Sequence, residues 1–406
     1  MSSGHHHVAV VLSLYDTGLA AIRSLGRLGI PVVGIDARPG MPGLKSRYCT
    51  AKLCPDPVHA GDELLEFLVA EGRRLDRPGI LFPASDPFVL FVSRYRDELS
   101  PWYRFALPST DVMEAIVDKS RQYEMAEEVG TPYPRTFYPE SLAEVERIKD
   151  LVDYPAFIKP HYGHLWREIY DCKGFQVHNP AELEERFAQI LPSGLRVMVQ
   201  SIIPGPNTSH FKVSAYIGQT GEPLAVFTLR KIRQWPTEFG IGTMVESLNY
   251  PEMRDLGLHF FRAIGYRGIG SIEFKKDARD GKLKMIELNP RLWLQNGLAT
   301  DCGMNFPLIQ YLDLSSQDPV PLTTFRERVC WLDSMDDLRA FWSYHKQGEL
   351  SVRAWLGSVS RARSFATFAL DDPGPFLSAS QWGLKYVKGA LHVLRSAGPD
   401  AMRSPR

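Results

Sequence analysis

The chain has 406 residues, with 47 basic and 47 acidic side chains, so its formal charge is zero; 44% of residues are hydrophobic and 23% charged. That length suits two or three domains, each able to bury a core without covalent staples. A neutral balance gives no global field toward nucleic acid or an anionic membrane, and no apolar run is long enough to span a bilayer. Five scattered cysteines (Cys49, Cys54, Cys172, Cys302, Cys330) form no C-x-x-C pair, so reduced thiols of a cytoplasmic protein are expected, not a zinc or redox centre. The first residues, Met1 to His7, carry no signal-peptide pattern, and their histidines read as a tail.

Residues 8–13, Val-Ala-Val-Val-Leu-Ser, are strand-like. A helical pattern from Gly18 to Leu28 sets Leu19, Ile22, Leu25 and Leu28 on one side, Gly29 stops it, and Pro31 to Ile35 form a second strand. Such a β-α-β unit predicts a parallel sheet covered by helices. Its turn, Leu14-Tyr15-Asp16-Thr17-Gly18, lacks G-x-G-x-x-G, so a dinucleotide is not expected there. The turn is either structural or a contact for a small substrate, as are Ser85 and Asp86. A helix at 62–75 and a strand at 79–83 follow. Ser109 or Thr110 caps a helix that starts near Asp111, breaks near Asp118-Lys119 and ends at Gly130. Pro132 and Pro134 mark a junction. Next come a helix at 141–151, strands at 154–159, 196–203, 211–218 and 223–230, and a helix at 252–264. Strands 268–277 and 282–289 flank an Asp280-Gly281 turn. Pro319 and Pro321 lead into a C-terminal segment whose residues 380–395 form an amphipathic pattern, with Lys385, Lys388, His392 and Arg395 on one face. Docking on this protein's own core or on a second subunit is the favoured reading of that helix; contact with a membrane surface is the less favoured one.

The most informative stretch is Ser271-Ile-Glu273-Phe with Met285-Ile-Glu287-Leu-Asn289-Pro-Arg291. Strand side chains alternate, so Glu287 and Asn289 share a face. A three-residue turn at 279–281 pairs 278 with 282 and places Glu273 opposite Glu287. Two carboxylates and a carboxamide then form an oxygen-only cluster suited to Mg²⁺ carrying nucleotide phosphates. The competing reading, an ordinary solvated hairpin, is weaker, because Ile272, Phe274, Ile286 and Leu288 must fill the other face and opposed acids repel. Arg291 follows at once, placed to meet a phosphate or a carboxylate. Lys159 ends a strand ahead of a polar loop, 161–174, that is a candidate lid over phosphates. Lys119 and the cluster Arg230-Lys231-Ile232-Arg233 add positive charge, which phosphoryl transfer requires around the γ-phosphate. Taken alone, Lys119 reads as a solvated helix lysine, Lys-Pro after a strand occurs by chance, and the Arg230–Arg233 cluster reads equally well as a charged rim.

Together these residues resemble the ATP-grasp superfamily, and within it the carboxylate–amine ligase branch, over roughly residues 8–320. The resemblance implies an N-terminal parallel α/β domain (1–110), a small lid lobe with a linker helix (111–205), a large antiparallel lobe with the metal hairpin (206–320) and a C-terminal helical extension (321–406). It implies ATP and Mg²⁺ as cofactors, two ions by the family pattern with Mn²⁺ as a substitute. Glu273, Glu287 and Asn289 would hold the metal. Lys119, Lys159, Asn207 and Arg233, with the hinge Gln200-Ser201-Ile202-Ile203, would bind nucleotide. Arg291, Arg230 and Lys231 would serve the chemistry, in which a carboxylate becomes an acyl phosphate and is passed to an amine. Gln200, Ser201 and Asn207 stand where the family often has acids, and the lid has few glycines. Small-molecule carboxylate and amine substrates are implied, nucleic acid is not, and a homodimer fits the family. A non-catalytic ATP-binding regulator, or another ATP-grasp activity such as carboxylation or acyl-CoA formation, stays open as an alternative.

Overall fold

A computed structural model describes residues 7–162, 165–166, 169–170 and 172–379. The amphipathic 380–395 stretch and the first six residues lie outside them.

Three sheets organise the described chain. The first is parallel, in the order β3-β2-β1-β4-β5, from β1 (Ala9–Leu12), β2 (Val32–Asp36), β3 (Thr50–Leu53), β4 (Gly79–Pro83) and β5 (Tyr103–Arg104). The predicted opening unit is present, its helix running Asp16–Gly26, two residues earlier than the periodicity placed it. Alternation along β1 sends Val10 and Leu12 into one core with Leu64, Leu68 and Val89. Val11, on the other face, joins a core that also takes Trp293, Leu298 and Phe306 from far along the chain. That second face fixes the turn after β1 against the segment that follows the acidic hairpin.

The second sheet is antiparallel, order β6-β9-β7-β8, from β6 (Thr136–Phe137), β7 (Ala156–Pro160), β8 (Phe175–Val177) and β9 (Val197–Ser201). Its own core holds Ile158, Val199, Phe187 and the buried Trp166. The linker before it is two helices, Thr110–Val117 and Lys119–Val129, broken at Asp118, whose carboxylate caps the second. Gly130 ends that helix in the left-handed region, φ 74°.

The third sheet has seven strands, order β14-β13-β10-β11-β12-β15-β16: β10 (His210–Ile217), β11 (Pro223–Trp235), β12 (Ile241–Ser247), β13 (Gly268–Lys276), β14 (Leu283–Asn289), β15 (Cys330–Leu332) and β16 (Ala362–Phe365). All neighbours are antiparallel except β15 and β16. The Pro251–Ala263 helix covers one face, burying Phe260 and Phe261 against Val213, Ile272 and Phe274.

The C-terminal extension differs from a purely helical one: besides the helices Ser334–Lys346 and Val352–Val359, it lends β15 and β16 to the large sheet. It also returns to the N-terminal sheet. Asp372, almost fully buried, accepts from Arg23 Nε (2.9 Å), Ser46 Oγ (2.8 Å) and the Arg47 amide (2.9 Å). A buried carboxylate needs that full set of donors. All five cysteines are free thiols.

Candidate active site

Glu273 stands directly opposite Glu287 across β13 and β14, and Asn289 is registered against Ser271 two residues on. The opposition is the expected one, reached by a different path. The turn is wider than three residues: the Asp277 amide donates to Lys282 O, so Lys276 pairs with Leu283. A bulge at Ile286 then restores the step. Asp277, fully buried, builds the turn by accepting from the Arg279 amide (2.9 Å) and from Lys284 Nζ (2.6 Å). Because of the bulge, Met285 fills the core beside Phe274 and Ile286 is only half-buried.

β14 is an edge strand, and the Lys119–Val129 helix closes that edge. Gln122 accepts from the Leu288 amide (2.9 Å) and donates to Leu288 O (3.1 Å). Tyr123 donates to the bulged Ile286 carbonyl and accepts from Lys159 Nζ at 2.8 Å. The same helix begins with Lys119, whose Nζ lies 3.1 Å from Glu287 Oε2. One helix thereby ties both sequence-predicted lysines to the hairpin.

Positive charge surrounds the two acids. Lys212 Nζ is 2.9 Å from Glu273 Oε1, and Asn289 donates to Glu287 Oε1 at 3.0 Å. Lys119, against burial, holds the Glu287 carboxyl well below the usual carboxylate range. For Glu273 burial pushes upward but is outweighed by Lys212 and Lys231, leaving its carboxyl low as well. Burial lowers Lys159 to about 7, with Lys119 adding to the effect, and lowers Lys231 to about 8. Arg291 grips the Asp86 carboxylate with two guanidinium nitrogens, the longer contact 3.1 Å, and reaches Asn289 Oδ1 at 3.4 Å. This bidentate pair joins the N-terminal domain to the hairpin.

The fit to a hard cation follows from the donors. Two carboxylates and an amide oxygen suit Mg²⁺, and two lysine ammonium groups already sit against the carboxylates. Among the described residues no three His, Cys, Asp or Glu gather at one point, so the set depends on Asn289.

Other expected residues are not brought there. Neighbours on a strand face opposite ways, and Arg230 pairs with Glu246 at 2.6 Å while Lys231 faces the acids. A bulge at Ile232 follows, and Arg233 is buried in a two-pronged pair with Asp337 (2.8 and 2.9 Å) of the C-terminal extension. Asn207 is held by Thr237 O (3.1 Å), Tyr344 Oη (2.7 Å) and Gln234 (3.0 Å). In the hinge, Gln200 donates to Thr136 Oγ1 (2.8 Å), Ser201 N to Arg135 O (2.9 Å) and Ile202 N to Pro155 O (3.2 Å), while Ile203 is buried. Of the candidate lid, Lys173 Nζ donates to Phe239 O (2.7 Å), and the Phe157 ring lies tilted against that of Phe239, centroids 4.3 Å apart. These contacts edge a cleft of about 550 Å³ between the small sheet and the 236–239 loop.

Sequence reasoning missed Lys212, Gln122 and Tyr123. Lys212 had a signal: it interrupts the apolar strand Phe211-Lys-Val-Ser-Ala-Tyr-Ile.

Residues 242–311 match the family described as carbamoyl-phosphate synthase L chain, ATP binding domain. The chain is 24% identical over 256 residues to a D-aspartate ligase of Enterococcus faecium, an alignment spanning 61% of each. In structure it resembles an L-amino acid ligase from Bacillus licheniformis (TM-score 0.58, 16% identity, 79% of this chain and 78% of that one). It also resembles the biotin carboxylase domain dimer of the Hydrogenobacter thermophilus 2-oxoglutarate carboxylase, solved with MgADP, ADP and bicarbonate (TM-score 0.60, 18% identity, 79% and 73%). The chain spans about three-fifths of the length of the curated D-aspartate ligase it matches. Among the described residues no helix is long and apolar enough to cross a membrane.

Proposed function

We propose that this chain, which has the ATP-grasp fold, is an ATP- and Mg²⁺-dependent ligase that joins a carboxylate to an amine through an acyl phosphate, releasing ADP and phosphate. The observation that carries this reading is the pairing of Glu273 with Glu287 inside a ring of lysines, next to an arginine fixed by a second domain. The matched ATP-binding family and the likeness to two ligases support it.

In this assignment Glu273, Glu287 and Asn289 would hold Mg²⁺, which would supply shielding of phosphate charge. Lys119 and Lys212, which now sit on the acids, are positioned to turn to phosphate oxygens. Lys159 and Lys231 meet the charge that grows during transfer. Arg291 orients the substrate carboxylate for attack on the γ-phosphorus, forming the C–O–P bond as ADP leaves. The neutral amine nitrogen then bonds to the acyl carbon, the acyl C–O bond breaks as phosphate departs, and the nitrogen gives up one proton. Closure of the small sheet over the cleft excludes water that would hydrolyse the acyl phosphate. Adenine is assigned to the Gln200–Ile203 hinge. Arg230, Arg233 and Asn207, already paired elsewhere, are left out. The reading goes with domain divisions near 110, 205 and 320 and with a cytoplasmic enzyme of small-molecule substrates.

The test is an ADP-release screen of amino acids and other carboxylates against amines, with mass spectrometry of the product. Turnover of ATP with an amide product bears the proposal out; tight ATP binding with no substrate-dependent ADP from any pair contradicts it.

A further expectation concerns protons. At pH 8 the Lys159 amine, lowered to about 7 by burial and Lys119, is mostly neutral, and Lys231, at about 8, is half so. A triphosphate beside them favours the charged forms. ATP binding at pH 8 should therefore take up protons, read by calorimetry in buffers of different ionisation heat. Lys159→Met should remove much of that uptake, and an unchanged value would contradict the placement of Lys159.

A further inference from the structure

A second set of buried acceptors lies where the turn after β1, the segment after Arg291, β12 and the C-terminal extension meet. Backbone contacts define the meeting point. Asn296 Nδ2 donates to Thr17 O (3.0 Å), Gln295 Nε2 to Gly242 O (3.1 Å) and the Asp333 amide to Thr243 O (2.8 Å). Asp16, Gln295 and Asp333 are thereby held around adjacent residues of β12 and the first turn of the Asp16–Gly26 helix.

Three acceptors there lack donors. Asp16 is 4% exposed, Gln295 3% and Asn296 0%, and Asp16 Oδ1, Gln295 Oε1 and Asn296 Oδ1 have no hydrogen-bond partner among the described residues. Such groups are rare in folded proteins and call for a partner. The surroundings are negative. With no cation beside them, burial, then Asp333 and Asp336, push the Asp16 carboxyl up to about 8, and burial with Asp336 pushes Asp333 up to about 6, so a bound cation would let Asp16 ionise at neutral pH. The nearby cations are committed elsewhere: Arg339 pairs with Asp336 at 2.9 Å and Arg23 with Asp372. Among the described residues no three acids close on one point, and what the three acceptors lack is hydrogen-bond donors. A cation carrying its own N–H donors fits well.

We infer that this cluster of acceptors binds the protonated primary amino group of a substrate, with Asp16, Gln295 and Asn296 accepting its hydrogens and Asp333 and Asp336 of the C-terminal extension supplying charge. The inference rests on the ligase reading, since Gln295 stands four residues after Arg291. It makes the extension a specificity element and predicts that the substrate pair includes an ammonium. That ammonium is one that does not react, since the attacking nitrogen needs a free lone pair: it is the amino group of an amino-acid carboxylate donor or a second amino group of the acceptor.

The test uses the full chain and two isosteric probes, n-butylammonium and n-butanol, with binding followed by ligand-observed NMR at pH 7. Butylammonium should bind at least tenfold more tightly than butanol. The double variant Asp333→Asn, Asp336→Asn should weaken butylammonium at least tenfold while ATP affinity and the melting temperature hold, because asparagine caps the Ser334–Lys346 helix as well as aspartate does. Equal binding of the two probes, or binding unmoved by the double variant, would overturn the inference. Absence of ADP release from every substrate pair, with selective ammonium binding intact, would overturn the ligase reading alone. With an active pair in hand, a rise in KM for the acceptor identifies the acceptor's second, non-reacting amino group as the occupant, and a rise for the donor identifies the donor's amino group. A double variant that moves neither KM contradicts the inference.

Discussion

Replacing Glu287 by Gln is expected to slow substrate-dependent ADP release about a hundredfold or more while leaving the fold intact. The side chain keeps its length, and an amide can still accept from Asn289. What it loses is the charge that Lys119 balances at 3.1 Å and that opposes Glu273 across the strands. Removing one acid from a two-acid set weakens its hold on a divalent ion and leaves Lys119 without a counter-charge. The variant should therefore need far more Mg²⁺ for half-maximal rate, and its denaturant midpoint should stay near that of the parent. Parent-like turnover at low Mg²⁺ would remove the hairpin from the chemistry.

Replacing Arg291 by Lys is expected to lower kcat/KM for the carboxylate about a hundredfold, with the KM for ATP little changed. Arg291 spans two domains, with two nitrogens on Asp86 and one reaching Asn289 Oδ1. A lysine keeps the charge but not the planar fork that such bidentate contacts need. The loss should therefore fall on orientation of the carboxylate, not on nucleotide binding. Steady-state kinetics on an active pair separates the two: a defect confined to ATP would move Arg291 to the phosphates.

How far the site could be read beforehand depended on the kind of regularity involved. The opposition of Glu273 and Glu287 was legible because period-2 alternation and a turn near Asp280-Gly281 are both local. The count nonetheless came out right through two offsets, a wider turn built by buried Asp277 and a compensating bulge at Ile286, neither visible in the chain. Arg230 and Lys231 were grouped as one basic cluster, although adjacent strand residues must part to opposite faces. Lys212 was passed over because its partner lies sixty residues away, across β10 and β13. β12 went unread: Ile-Gly-Thr-Met-Val-Glu-Ser is buried on both faces over most of its length and shows no alternation. β15 and β16, three and four residues long, are too short to show a period at all. What packs Asp333 and Asp336 near Asp16 is purely tertiary.

If the γ-phosphoryl group passes to a carboxylate oxygen, that oxygen leaves with the phosphate, and an isotope label follows it. The protein would be incubated with MgATP, a pool of carboxylates labelled with ¹⁸O, and amines, and the inorganic phosphate analysed by mass. Phosphate should carry one ¹⁸O atom for each amide formed. Amide or ADP formed with unlabelled phosphate would contradict this transfer.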